Sequence, residues 1–242
     1  MSQAASHSGD GTTLKALFGA IASRDRAAVS RLLARSPGLA CQAAAAGATR
    51  AQAREYFFAS IAHYAYAGDT PLHLAAAAHE VDIASDLLSR GANVRARNRR
   101  GAEPLHYAAD GVPGSASWSP VAQAAVVRLL IRAGADPDAA DRSGVAPIHR
   151  AVRTRCAAAV RALLANGADP RRQNRSGSTP LHLATQDTGR GGSGSSSART
   201  QQAEIIRLLL DHGARPSDRS SSGKTVRECV RADWILALLE DG

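Results

Sequence analysis

Four histidines, His73, His106, His149 and His182, recur along this 242-residue chain, each after a proline and one further residue. Imidazole is a common metal ligand and the usual proton carrier near neutral pH, so four in register invite a metal or acid–base reading. Their separation argues against it, because ligands must converge to about 2 Å from one ion. A thiolate site is suggested where Cys156 follows His149, Arg150 and Arg153, since a reactive thiol needs a base or cation beside it. Cys156 falls at a turn, however, with no inferable direction relative to His149. Gly189-Arg190-Gly191-Gly192-Ser193-Gly194 spells a dinucleotide fingerprint, but that motif opens from a strand directly into a helix, and here the preceding stretch is helix-like. It reads as a linker, with a small anion site at Arg190 or Arg199 as the alternative. Gly223-Lys224-Thr225 lacks the glycine that a phosphate-binding loop requires at Asp218. No catalytic pair, metal, cofactor or small-molecule substrate is expected.

What positions the histidines is a repeat. Thr70-Pro71-Leu72-His73 returns as Glu103-Pro104-Leu105-His106, Ala146-Pro147-Ile148-His149 and Thr179-Pro180-Leu181-His182. The glycines two residues before each tetrapeptide, Gly68, Gly101, Gly144 and Gly177, with Gly223 opening a degenerate fifth start, are 33, 43, 33 and 46 residues apart. Each proline can open a helix at its first position, where a missing N–H costs nothing. Leu72, Ala75 and Ala76, then Ile83, Leu87 and Leu88, fall at helical intervals. Gly91, Gly134, Gly167 and Gly213, each followed by alanine, supply helix exits, and polar stretches such as 93–100 form connecting hairpins.

With Thr-Pro-Leu-His-x-Ala at 70–75 and 179–184 and a period of 33, the chain resembles the ankyrin-repeat family. The resemblance implies an all-α solenoid with short β-hairpin loops: four units at 68–100, 101–143, 144–176 and 177–222, an N-terminal capping repeat at 13–67 and a C-terminal one at 223–242. Residues 1–12 read as a disordered tail. The resemblance also implies that His73, His106, His149 and His182 are structural, each tying its unit to a neighbour by hydrogen bonds. It further implies a concave partner-binding face. There the residue after each histidine (Leu74, Tyr107, Arg150, Leu183) and the positions after the alanine step (Asp110, Arg153, Gln186, Asp187) look outward. The hairpins add Arg97, Arg99, Arg100, Arg142 and Arg175.

Three insertions break the period. Ten extra residues near 111–120 carry Trp118, which serves as a partner contact or as a plug over its own unit. Thirteen more fall near 188–200, ahead of a helix from about Gln201. Twenty-two precede the first full unit and hold Tyr56, Phe57, Phe58, Tyr64 and Tyr66; Phe57, Ile61 and Tyr64 share a helical stripe, so a helix over about 50–65 is expected, as an enlarged cap or an aromatic partner surface.

A net charge of +9, with 28 of 30 basic residues arginine, points to an acidic partner, although alanine, arginine and glycine richness also follows from a GC-rich genome. Three cysteines without a C-x-x-C pair suit a reducing compartment, and neither a signal sequence nor a membrane span is apparent. The expectation is a non-enzymatic, cytoplasmic protein-binding scaffold of bacterial type. The alternative is nucleic-acid or other polyanion binding, which the acidic Asp136, Asp138 and Asp141 among the hairpins weaken.

Overall fold

The computed structural model describes residues 6–186 and 196–240, with side chains from residue 11 onward. Among these residues are twelve α-helices in antiparallel pairs. The N-terminal pair is α1 (Ser6–Ala22) and α2 (Arg26–Arg35). Four full units follow as α3 (Pro71–Ala78) with α4 (Val81–Ser89), α5 (Pro104–Ala109) with α6 (Pro120–Arg132), α7 (Pro147–Arg153) with α8 (Ala157–Leu164), and α9 (Pro180–Ala184) with α10 (Ser196–Asp211). The short α11 (Val226–Cys229) and α12 (Asp233–Glu240) close the stack. First helices pack on first helices, α1 on α3, α3 on α5, α5 on α7 and α7 on α9, while α4, α6, α8 and α10 form a second layer behind them.

The sequence dictates this locally. Proline is the first residue of every full unit's leading helix, preceded by an extended residue. Between the layers, Leu72, Leu87, Leu105, Leu130, Ile148, Leu163, Leu181 and Leu209 are fully enclosed, with alanines filling the narrow gaps. The turns between units are hairpins closed by two backbone bonds each: the amides of Asn98, Asp141, Asn174 and Ser220 donate to the carbonyl four residues on, and their carbonyls accept from the glycine three residues on. The first three of these residues also staple the turn: a side-chain oxygen accepts the amides two and four residues later. Successive hairpins lie almost backbone to backbone. A Cβ at Gly144, whose φ is +71°, would stand 2.7 Å from the Arg175 nitrogen, so glycine is required there.

Three expectations are corrected. Residues 50–65 form no α-helix: 3₁₀ turns at Ala53–Tyr56 and Ala59–Ile61 flank β1 (Phe57–Phe58), which pairs antiparallel with β2 (His63–Tyr64). Ala62, at φ +49°, turns the chain back on itself, and the stripe that looked helical becomes cross-strand, with Phe57 stacked on Tyr64 at 4.7 Å. Helix α10 starts at Ser196, earlier than the second insertion suggested, and helix α1 already begins at Ser6, within the stretch read as a tail. Residues 187–195, including Gly189–Gly194, lie outside the described residues.

Candidate functional site

The four recurring histidines are core residues facing the next unit. In each, Nδ1 accepts the amide of the residue before the proline (Thr70, Glu103, Ala146, Thr179), at 3.1 to 3.3 Å. That assignment leaves the ring proton on Nε2, which donates to a carbonyl of the following hairpin. His73 reaches Ala102, His106 reaches Val145, His149 reaches Ser178 and His182 reaches Lys224, at 3.1, 3.0, 3.3 and 3.4 Å. Each ring thus caps its own helix and bonds across a unit boundary. Burial lowers the pKa of His73 and His149, and that of His106 to about 3, so these rings are neutral at pH 7.

A second set of cross-unit bonds, which the repeat motif did not reveal, runs along the far ends of the leading helices. Arg24 donates to the carbonyls of Ala78 and Ser117, His79 to that of Asp110, and Arg155 to that of Gln186. All three have left-handed backbones, φ 56° to 60°, at a helix exit where the conformation turns the side chain toward the next unit. Gln123 and Gln202 fill in, taking the helix-end carbonyls of α5 and the segment after α9.

The face made by leading helices and hairpins changes character along the stack. Ordered from the N-terminal end, Leu74 and Tyr107 are 0% and 1% exposed, whereas Arg150 and Leu183 are half-buried. Leu74 and Tyr107 therefore present nothing to a partner, contrary to the outward orientation expected for them. For Tyr107 the cause is the β1–β2 segment, folded onto this face: its His63 ring lies 4.3 Å from the Tyr107 ring, and Tyr66 receives the guanidinium of Arg100 on its hydroxyl. Ser60 ties the segment to the carbonyl of Ala22. Leu74 is enclosed because α3 has α1 on one side and α5 on the other.

Beneath this cover sits a buried carboxylate. Asp69 accepts from the Tyr107 hydroxyl at 2.8 and 2.9 Å, Asn98 Nδ2 at 2.8 Å and the Tyr66 amide at 2.6 Å. Burial and this neighbouring charge raise the Tyr107 pKa well above its ordinary value, keeping it a neutral donor. Arg150 lies over the Tyr107 ring and bridges Asp110 and Asp141 at 3.0 and 3.3 Å. Burial pushes the Asp110 carboxyl up against the pull of Arg150. Burial raises the Asp141 carboxyl as well, but the Ser143 and Val145 amides outweigh it and its pKa is lowered.

The remaining positions divide clearly. Arg97 pairs with Glu103 and the Ala140 carbonyl, while Arg99 and Arg100 flank the Tyr66 ring, and Arg99 also donates to the carbonyl of Ala48. Trp118 is half-buried with its indole N–H on Gln123, 3.0 Å away. Arg142, Arg153 and Arg175 are exposed, and among the described residues none of their guanidinium groups is engaged in a hydrogen bond or ion pair; Gln186 is exposed beside them in sequence order. Asp187 lies outside the described residues. Cys156 is buried and hydrogen-bonded with Thr154; burial raises its pKa, the reverse of what a nucleophilic thiol requires. Among the described residues no cluster of histidine, cysteine or carboxylate side chains is arranged to hold a metal, and no helix is long and apolar enough to cross a membrane.

Comparison with known protein families finds a model of three ankyrin repeats matching residues 120–220 and a single ankyrin repeat matching residues 67–99. Together the two matches cover more than half of the chain. No curated protein matches it.

Proposed function

Because the chain belongs to the ankyrin-repeat family, whose repeats are generally protein–protein interaction modules, we propose that it is a non-enzymatic scaffold. Its partner-reading strip lies on the C-terminal half of the inner face. The observation that carries this reading is the contrast among the arginines. Those around the first hairpin, Arg97, Arg99 and Arg100, are taken up by Tyr66, Glu103 and backbone carbonyls, whereas Arg142 in the second hairpin, Arg153 in the third unit and Arg175 in the third hairpin hold uncommitted guanidinium groups. Uncommitted arginine on a rigid frame provides forked donors for carboxylates, at low reorganisation cost. The partner is accordingly an acidic protein segment. Cytoplasmic location belongs to the same reading, supported by three free cysteines of which Cys41 and Cys229 are exposed.

The test is affinity capture from nuclease-treated native lysate. The wild-type chain is compared with Arg142→Glu/Arg153→Glu/Arg175→Glu and, as a control, with Arg128→Glu/Arg132→Glu/Arg207→Glu on the outer helices. A protein retained by the wild type and the control but lost by the first triple variant is expected. Equal loss from both variants, or capture of nucleic acid alone when nuclease is omitted, contradicts the reading in favour of general polyanion attraction.

A further inference from the structure

Two cavities, of about 420 and 250 Å³, share His63, Tyr107 and Asp110 as a common wall where the β1–β2 segment covers the inner face. His63 is the anomaly there: its Nε2 is enclosed by protein and has no hydrogen-bond partner. A buried ring nitrogen left unpaired carries a desolvation cost that a bound group would remove. The smaller cavity is further walled by Tyr66, Ser143, Arg100 and Arg153.

The free hydrogen-bonding capacity of that cavity is one-sided. The Tyr66 hydroxyl accepts from Arg100 and keeps its own proton to give. No bond engages the Ser143 hydroxyl or the Arg153 guanidinium among the described residues, and a neutral imidazole can carry its proton on Nε2. The carboxylate and amide oxygens are largely used: Asp141 takes Ser143, Val145 and Arg150, Asn98 Oδ1 takes two amides, and Asp110 Oδ2 takes Arg150, leaving Asp110 Oδ1 as the one side-chain carboxylate or amide oxygen of that wall without a hydrogen bond among the described residues. Donors in excess call for a group that only accepts. Asp110 and Asp141 in the wall limit the charge such a group can bring, which favours a monoanionic carboxylate over a phosphate dianion.

We propose that the smaller cavity is a carboxylate pocket, in which a glutamate side chain of the bound partner segment is held by Arg153, Ser143, Tyr66 and His63. This rests on the acidic-segment reading and adds a defined anchor to it.

The experiment uses the full chain, 15N-labelled, with N-acetyl-glutamate methylamide as probe and its glutamine counterpart, succinate and inorganic phosphate as comparisons. Saturable shifts of the His63 ring nitrogens and the Ser143 amide are expected with the glutamate probe and absent with glutamine. Binding should weaken roughly tenfold in Arg153→Gln, whose side chain makes no hydrogen bond or ion pair among the described residues, and in His63→Phe, which keeps the ring on Tyr107. Thermal midpoints confirm that both variants fold. Lack of saturation, equal response to glutamine, or unchanged affinity in both variants overturns the pocket. Tighter binding of phosphate or succinate than of the capped glutamate overturns the assigned chemistry or source, respectively. If a protein is captured through Arg142 and Arg175 while the probe does not bind, the pocket alone falls. If the probe binds but no protein is captured, the scaffold reading alone falls.

Discussion

At the scale of single residues, most polar groups in the core are paired, and the exceptions make the sharpest predictions. Glu103 stands where Thr70 and Thr179 stand in their units; one carboxylate oxygen meets Arg97, but Oε2 is buried without a partner and burial raises the carboxyl pKa. Glu103→Thr, which restores the hydroxyl cap of its sister units, should raise unfolding free energy by about 1 kcal/mol in urea titration; a loss of stability would show that the Arg97 pair outweighs the orphan. Tyr107→Phe is the opposite case. It removes a hydroxyl that donates to Asp69 and accepts from Asn98, leaving a buried carboxylate short of a donor, and should cost about 2 to 3 kcal/mol. A denaturation midpoint unmoved by Tyr107→Phe would mean that water replaces the lost donor to Asp69. The histidine positions were legible in the sequence because a helical cap and a cross-unit bond both depend on a fixed offset from the proline. The burial of Tyr107 was not, because what encloses it comes from more than forty residues away.

At the scale of elements, the repeat motif carries the helix pairs well, since proline, alanine spacing and exit glycine act within one unit. The insertion before Gly68 shows where such reasoning stops. Phe57, Ile61 and Tyr64 fit a helical stripe as readily as a hairpin, and the periodicity of three apolar side chains cannot separate the two. What decides is Ala62 in the left-handed region and the pairing of Phe57 with Tyr64 and Phe58 with His63. Ala62→Gly discriminates directly. In a helix this change costs about 1 kcal/mol, whereas at a positive φ it relieves about 1 kcal/mol of strain, part of which is offset by a more flexible unfolded chain. We expect a small rise in thermal midpoint; a clear fall would restore the helix. The same logic applies to Arg155, at φ 60° with Nε and Nη1 buried and unpaired: Arg155→Gly should be neutral or stabilising despite loss of the Gln186 contact. Marked destabilisation of Arg155→Gly would show that the cross-unit bond dominates.

At the scale of the whole molecule, the stack is held by nearest-neighbour interfaces, and those interfaces share one titration. His73, His79, His106 and His149 are buried, and His63 is half-buried with its Nε2 enclosed; all five have lowered pKa values, His63 to about 4 and His106 to about 3, burial being the largest cause in each. The unfolded chain takes up protons near the ordinary histidine value of about 6.5, where the folded chain refuses them. The stabilisation these groups give is therefore complete above about pH 6.5 and is drawn down as pH falls below it, for His106 as far as about pH 3. Each refused proton adds about 1.4 kcal/mol per pH unit to the slope, so several acting together make acid unfolding steep. Because His73, His106 and His149 span the three boundaries between the full units, acid should loosen the body of the array and not one end. Urea midpoints measured between pH 7.5 and 4.5 should fall steadily once pH drops below 6.5. In His106→Asn, whose side-chain oxygen keeps the Glu103 amide bond without titrating while the shorter chain gives up the bond to Val145, the slope should flatten by about 1.4 kcal/mol per pH unit. A midpoint level down to pH 5 would mean that the column is solvated in solution, and with it the contact that sets one unit upon the next.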